Sequence, residues 1–135
     1  MHRISLRGPW EISLSPVPPN LPTPQRLPAT WTELFGDQAG TATFRRTFHR
    51  PTNLDPGEVV WLALTGCRGA GTVVLNGDKL GDMTVEKSSW RADITHKLMA
   101  KNKLHIELTY SPASDPQPGG LYDLVEIQIE NCPLM

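Results

Sequence analysis

Val73-Val74-Leu75-Asn76-Gly77-Asp78-Lys79-Leu80-Gly81 is the stretch that decides the fold class. Asn-Gly between two short apolar runs is the strongest local hairpin signal, because both central residues of a type I′ turn need positive φ. Residues 72–75 and 79–83 are therefore predicted to pair as a β-hairpin. Outward from this hairpin the same pattern repeats. Residues 58–65 (Glu-Val-Val-Trp-Leu-Ala-Leu-Thr) read as a strand buried on both faces, hence central to its sheet. Residues 6–14 begin apolar, then alternate Trp10, Ile12 and Leu14 with Glu11 and Ser13; residues 42–49 alternate Phe44 and Phe48 with Thr43, Arg45 and Thr47. Residues 90–94, 103–110 and 121–130 complete the strands, and in the last Val125, Ile127 and Ile129 face away from Glu126, Gln128 and Glu130. One helical turn is expected, over residues 93–99, with Asp93 or Thr95 as its N-cap. Many short strands divided by turn residues predict an all-β jelly-roll β-sandwich.

The chain has 135 residues, with 13 Lys and Arg against 14 Asp and Glu, 39% hydrophobic residues, 11 Gly and 13 Pro. That length suits a single domain over residues 1–135, with enough apolar material to form a core. A net charge of −1 lacks the basic footprint of a nucleic-acid partner. No apolar run approaches the ~20 residues that span a bilayer, and the first residues do not resemble a signal peptide, so no membrane partner and a cytoplasmic location are the default expectations. Cys67 and Cys132 lack metal-ligand spacing and read as free, buried thiols. Residues 16–28 hold Pro16, Pro18, Pro19, Pro22, Pro24 and Pro28. They read as an extended connector that covers a sheet edge rather than as a polyproline ligand. The Gly-rich run at 66–71 lacks the Lys-Ser/Thr of a phosphate loop and reads as a tight strand connection.

Six motifs in order then resemble the N-terminal sugar-binding domain of family-2 glycoside hydrolases, the β-galactosidase, β-glucuronidase and β-mannosidase group. They are Leu6-Arg7-Gly8-Pro9-Trp10-Glu11-Ile12, Leu27-Pro28-Ala29-Thr30-Trp31, Gly40-Thr41-Ala42-Thr43-Phe44-Arg45-Arg46-Thr47-Phe48, the Val73–Gly81 stretch, Asp93-Ile94-Thr95, and Gly119-Gly120-Leu121-Tyr122-Asp123-Leu124-Val125. The resemblance implies a galactose-binding-domain-like jelly roll. Members of that family hydrolyse glycosides with two glutamates on a separate barrel, one of them following an Asn. This sequence contains no Asn-Glu pair. Glycosidase carboxylates stand about 5–5.5 Å or about 6.5–9.5 Å apart, whereas Glu126 and Glu130 on one strand face are separated by roughly 13 Å. The chain is therefore expected not to be an enzyme.

Trp10, Trp31 and Trp61 are expected in the core, and Trp90 shares parity with Ala92 and Ile94 and is expected inside too. His105 and Glu107 share a strand face that reads as solvated, and His96 reads as exposed. Arg46 shares parity with Phe44 and Phe48, so it should point towards the apolar layer, and the resemblance offers Asp93 as its partner. Tyr122 points away from the inward residues of its segment, beside the loop at 111–120. The resemblance implies that this loop and the one before Gly40 lie towards the family's barrel and its sugar. Asp115 and Asp37 occupy those loops, so Tyr122, Asp115 and Asp37 are the candidate carbohydrate-binding residues. Two readings stay open: a non-catalytic carbohydrate-binding module, or a structural or interaction module that keeps the fold without sugar. The implied partners are a carbohydrate, a glycosidase-like protein or a second copy of the chain. No cofactor is predicted, and structural calcium is left open.

Overall fold

Ten strands in two antiparallel sheets make up a β-sandwich in the computed structural model, which describes residues 1–15, 23–114 and 119–131. The strands are β1 (His2–Ser5), β2 (Trp10–Ser15), β3 (Thr23–Gln25), β4 (Gly40–His49), β5 (Glu58–Leu64), β6 (Ala70–Leu75), β7 (Asp78–Met83), β8 (Trp90–Asp93), β9 (Lys101–Tyr110) and β10 (Val125–Asn131). One sheet has the order β1-β10-β5-β8 and the other β3-β2-β4-β9-β6-β7. Strand alternation supplies the core between them. Ile12 and Leu14, Phe44 and Phe48, and Leu104, Ile106 and Leu108 come from the six-stranded sheet. Val60, Leu62 and Leu64 with Val125, Ile127 and Ile129 face them from the four-stranded sheet.

The predicted hairpin is β6-β7, with Asn76 at φ 53° and Gly77 at φ 86° in its tip. A side-chain network locks this turn to its neighbours. Asn76 accepts the Lys103 N–H through Oδ1 at 2.8 Å and donates through Nδ2 to Asn102 Oδ1 at 3.0 Å. Asn102 is fully buried. It accepts from the Met99 N–H at 2.8 Å and donates to the carbonyls of Met99 and Phe48. The network explains how a polar amide is accommodated there: every one of its groups has a partner.

Several expectations need correction. Residues 6–14 are not strand throughout: β2 begins only at Trp10, and β1, over His2–Ser5, is not among the predicted strands. β1 pairs with β10 in the four-stranded sheet, and β2 pairs with β4 in the six-stranded sheet. Pro9, which has no N–H to give a ladder, stands directly before β2, and Leu6 anchors the crossing: its N–H donates to the Val125 carbonyl and its carbonyl accepts from Trp10 Nε1 at 2.7 Å. Residues 93–99 form a turn rather than a helix, because the Asp93 carboxylate takes both the N–H and the hydroxyl of Thr95, at 2.9 and 2.6 Å. Among the described residues the α-helix is α1 (Trp31–Phe35), held by a capping box in which Thr30 Oγ1 accepts the Glu33 N–H and Glu33 Oε1 accepts the Thr30 N–H, and Pro112–Ser114 adds a short 3-10 turn. In the Pro-rich stretch, β3 does cover the edge of β2, with Pro24 on the outermost strand where a missing N–H costs no ladder bond. Residues 16–22 lie outside the described residues.

Trp10 and Trp31 are buried in the core, and Trp90 is partly buried against it. Trp61 is not in the core. It stands on the outer face of the four-stranded sheet, where the Arg91 guanidinium lies 3.8 Å from its ring centroid and its Nε1 donates to Glu130 Oε2 at 3.2 Å. A strand apolar on both sides does not say which side meets the other sheet. The same outer face buries Glu126 and Gln128, joined by a 2.7 Å bond from Gln128 Nε2 to Glu126 Oε1.

Candidate functional site

Trp31 organises one end of the sandwich. It is fully buried against Tyr110, with ring centroids 5.3 Å apart, and against Phe35 at 4.9 Å. Two loops hang from this residue. Its indole Nε1 donates to the Gln38 carbonyl at 2.7 Å, which fixes the turn carrying Asp37. Its backbone N–H donates to the Gly119 carbonyl at 2.9 Å, and Ala29 N–H donates to Leu121, which fixes the segment leading to Tyr122. Both glycines before Leu121 are required by this closeness. A Cβ at Gly119 would stand 2.4 Å from the Tyr110 ring, and Gly120 has φ 79° with the Trp31 backbone beside it.

Tyr122 is half-buried and its ring rests on Gly66, where an added Cβ would come within 2.8 Å of Tyr122 Cε2. The ring thus has a fixed seat and an outward remainder, and its hydroxyl has no hydrogen-bond partner among the described residues. The base below it is set by Asp123 N–H donating to the Gly66 carbonyl and Thr65 N–H donating to the Leu124 carbonyl. Asp37 is exposed. The turn carrying Asp37 and the segment leading to Tyr122 are thus both tethered to Trp31. Asp115 lies outside the described residues, as does Cys132. Cys67 is buried and free, and burial pushes its thiol pKa up.

The expected Arg46–Asp93 pair does not form. Asp93 belongs to β8 in the other sheet, and Thr95's hydroxyl and N–H hold its carboxyl below the usual range. Arg46 is half-buried. Its Nη1 donates to the Pro9 carbonyl at 3.4 Å, its buried Nε has no hydrogen-bond partner, and burial lowers its pKa. It lines a groove of about 520 Å³ with Pro9, Glu11, Pro24, Arg45 and Lys103. Residue patterning missed this groove, because its walls come from strands distant in sequence. The alternation of β4 and β9 did contain the signal, in basic residues on matching outward positions.

The glycosyl hydrolase 2 galactose-binding domain-like family matches residues 34–117. No curated protein matches the chain in sequence. Among solved structures it is similar to an FMN-binding beta-glucuronidase from Facaelibacterium prausnitzii L2-6, at 27% identity and a TM-score of 0.77 over 93% of this chain. A beta-glycosidase from Bacteroides vulgatus is similar at 20% identity and a TM-score of 0.77 over 97% of the chain. Bifidobacterium dentium beta-glucuronidase, complexed with coumarin-3-O-glucuronide, is similar at 20% identity and a TM-score of 0.73 over 96%. The chain spans only 22%, 20% and 30% of those three glycosidases.

Proposed function

The chain belongs to the glycosyl hydrolase 2 galactose-binding domain-like family, and from that premise we propose that it is a non-catalytic carbohydrate-binding module. The observation that carries this reading is the double tether at Trp31, which holds the Asp37 turn through its indole and the segment leading to Tyr122 through its backbone. Tyr122 supplies an aromatic surface on which the C–H face of a sugar ring can lie, already ordered by Gly66 beneath it. Asp37 supplies a carboxylate that accepts hydrogen bonds from ring hydroxyls, and charge-assisted bonds of this type are the stronger kind. Asp115 joins them on the strength of sequence alone. The fixed seat of the ring matters, because ordering lost before binding does not weaken it.

The non-catalytic part of the proposal is supported by the family match, which is to a galactose-binding domain-like region, and by the chain spanning only 22%, 20% and 30% of the three glycosidases it resembles. A glycan array on the 135-residue chain tests the proposal. Saturable binding of millimolar affinity or better, weakened by Asp37→Ala and by Tyr122→Ala, is the expected result. An array without any saturable signal would instead favour a structural or protein-interaction module.

A further inference from the structure

The outer face of β4 and β9 carries basic side chains on paired positions. Arg45 stands opposite His105, Thr47 opposite Lys103, and His49 opposite Lys101. Arg45, His49, Lys101 and Lys103 are exposed and His105 is half-buried, and none of the five makes an ion pair among the described residues. Glu11 opposite Arg45 and Glu107 opposite Thr43 share this outer face, yet Arg45, Lys101 and Lys103 keep no ion-pair partner among the described residues. Unpaired cations beside a groove suit a ligand of the opposite sign.

The strip also has shape. At its β2–β3 side it opens into the groove of about 520 Å³ lined by Pro9, Glu11, Pro24, Arg45, Lys103 and His105. That size falls within the range of small-molecule sites, roughly 300–1,000 Å³, and exceeds what a bare inorganic anion fills. Pro9 and Pro24 give it apolar wall. Glu11, opposite Arg45 on β2, gives it an acceptor that would repel a plain polyanion but can hold a hydroxyl. Arg46, whose buried Nε lacks a partner, lines the same groove. Carboxylate or sulfate oxygens are the natural complement of guanidinium and ammonium groups, and the acceptor and apolar wall suit a ring that bears hydroxyls.

We propose that this face of β4 and β9 binds acidic saccharides, sugar rings carrying a carboxylate or sulfate group. The proposal rests on reading the module as carbohydrate-binding, but it uses a surface distinct from Asp37 and Tyr122. Calorimetric titration of the 135-residue chain with a uronate-containing oligosaccharide, its sulfated counterpart and its carboxyl-reduced neutral analogue tests it. Binding of either acidic form, falling as salt rises and weakened about tenfold or more by Arg45→Ala or Lys103→Ala, is expected. Both side chains are exposed, so these variants should keep the fold, which their circular dichroism checks. Whichever acidic form binds more tightly identifies the group recognised. Equal binding of the neutral analogue by a Tyr122→Ala chain, in which the other surface is removed, would overturn the proposal, as would affinity unchanged in both variants. Inorganic sulfate binding as tightly as the saccharide would mark a bare anion site, and a tighter single-stranded oligonucleotide would mark a nucleic-acid site; either overturns it. Tyr122→Ala separates the two surfaces, because it should abolish neutral-sugar binding and leave acidic-saccharide binding here intact.

Discussion

The Asn102 side chain accepts from Met99 and Asn76 and donates to the carbonyls of Met99 and Phe48, all within the buried base of the β6-β7 hairpin. Asn102→Ala leaves these groups without partners where water has little access. A loss of about 3 kcal/mol in urea unfolding is expected, since buried groups deprived of hydrogen bonds cost more than an average bond gains. Arg46 presents the opposite case. Its Nε is buried and unpartnered and its Nη1 has only a 3.4 Å bond to the Pro9 carbonyl, so the desolvation of its charge is offset only in part. Arg46→Met keeps the apolar stem and removes that burden, so its unfolding free energy should stay within about 1 kcal/mol of the parent or rise. A loss of about 3–5 kcal/mol would show that Arg46 has a paired charge after all. Cys67 adds a chemical check. Because burial raises its pKa, a Cys132→Ser chain should react slowly with a thiol reagent until urea unfolds it.

Single elements put local rules to the test. Gly77 has φ 86° with nothing within 4 Å of an added Cβ, so Gly77→Ala should cost about 1 kcal/mol through backbone conformation alone. Thr30→Ala removes the capping box of α1 and should cost about 1 kcal/mol, with the Asp37 turn loosened as well. The turn after β8 is acid-sensitive. Thr95 holds the Asp93 carboxyl below its ordinary value, so the stabilisation is complete above the unfolded-state pKa and is lost as pH falls through the lower folded-state value. The stability deficit of Asp93→Asn, measured by urea unfolding, should therefore be largest near neutrality and shrink in strong acid. Asn76-Gly77 was legible in the sequence because a turn demands particular dihedrals of particular residues. Thr30-Trp31-Thr32-Glu33 carries an equally local signature. Five helical residues are too few to show a 3.6-residue period, so a periodicity argument passes over α1. Alternation correctly placed the inward residues of β4, β9 and β10. It did not reveal β1 over residues 2–5, nor turn Trp61 outward, because those outcomes depend on partners far along the chain.

Across the whole molecule, the same division separates what the sequence disclosed from what it withheld. Six short motifs in order carried the family, while the common tether of the Asp37 turn and the Tyr122 segment depends on hydrogen bonds from Trp31 to two segments later in the chain. The large hydrophobic residues that are exposed among the described residues, Met1, Val85 and Met99, sit in separate segments of the chain. The expected behaviour is a monomer whose mass by light scattering holds constant as concentration rises. The central claim is that the Trp31-tethered end holds a carbohydrate. Amide resonances followed while a neutral oligosaccharide chosen from the glycan array is added test it most directly. The account predicts saturable shifts at residues 35–39 and 119–124, with β4 and β9 unmoved. Shifts confined to other surfaces, or none with any saccharide, would contradict it.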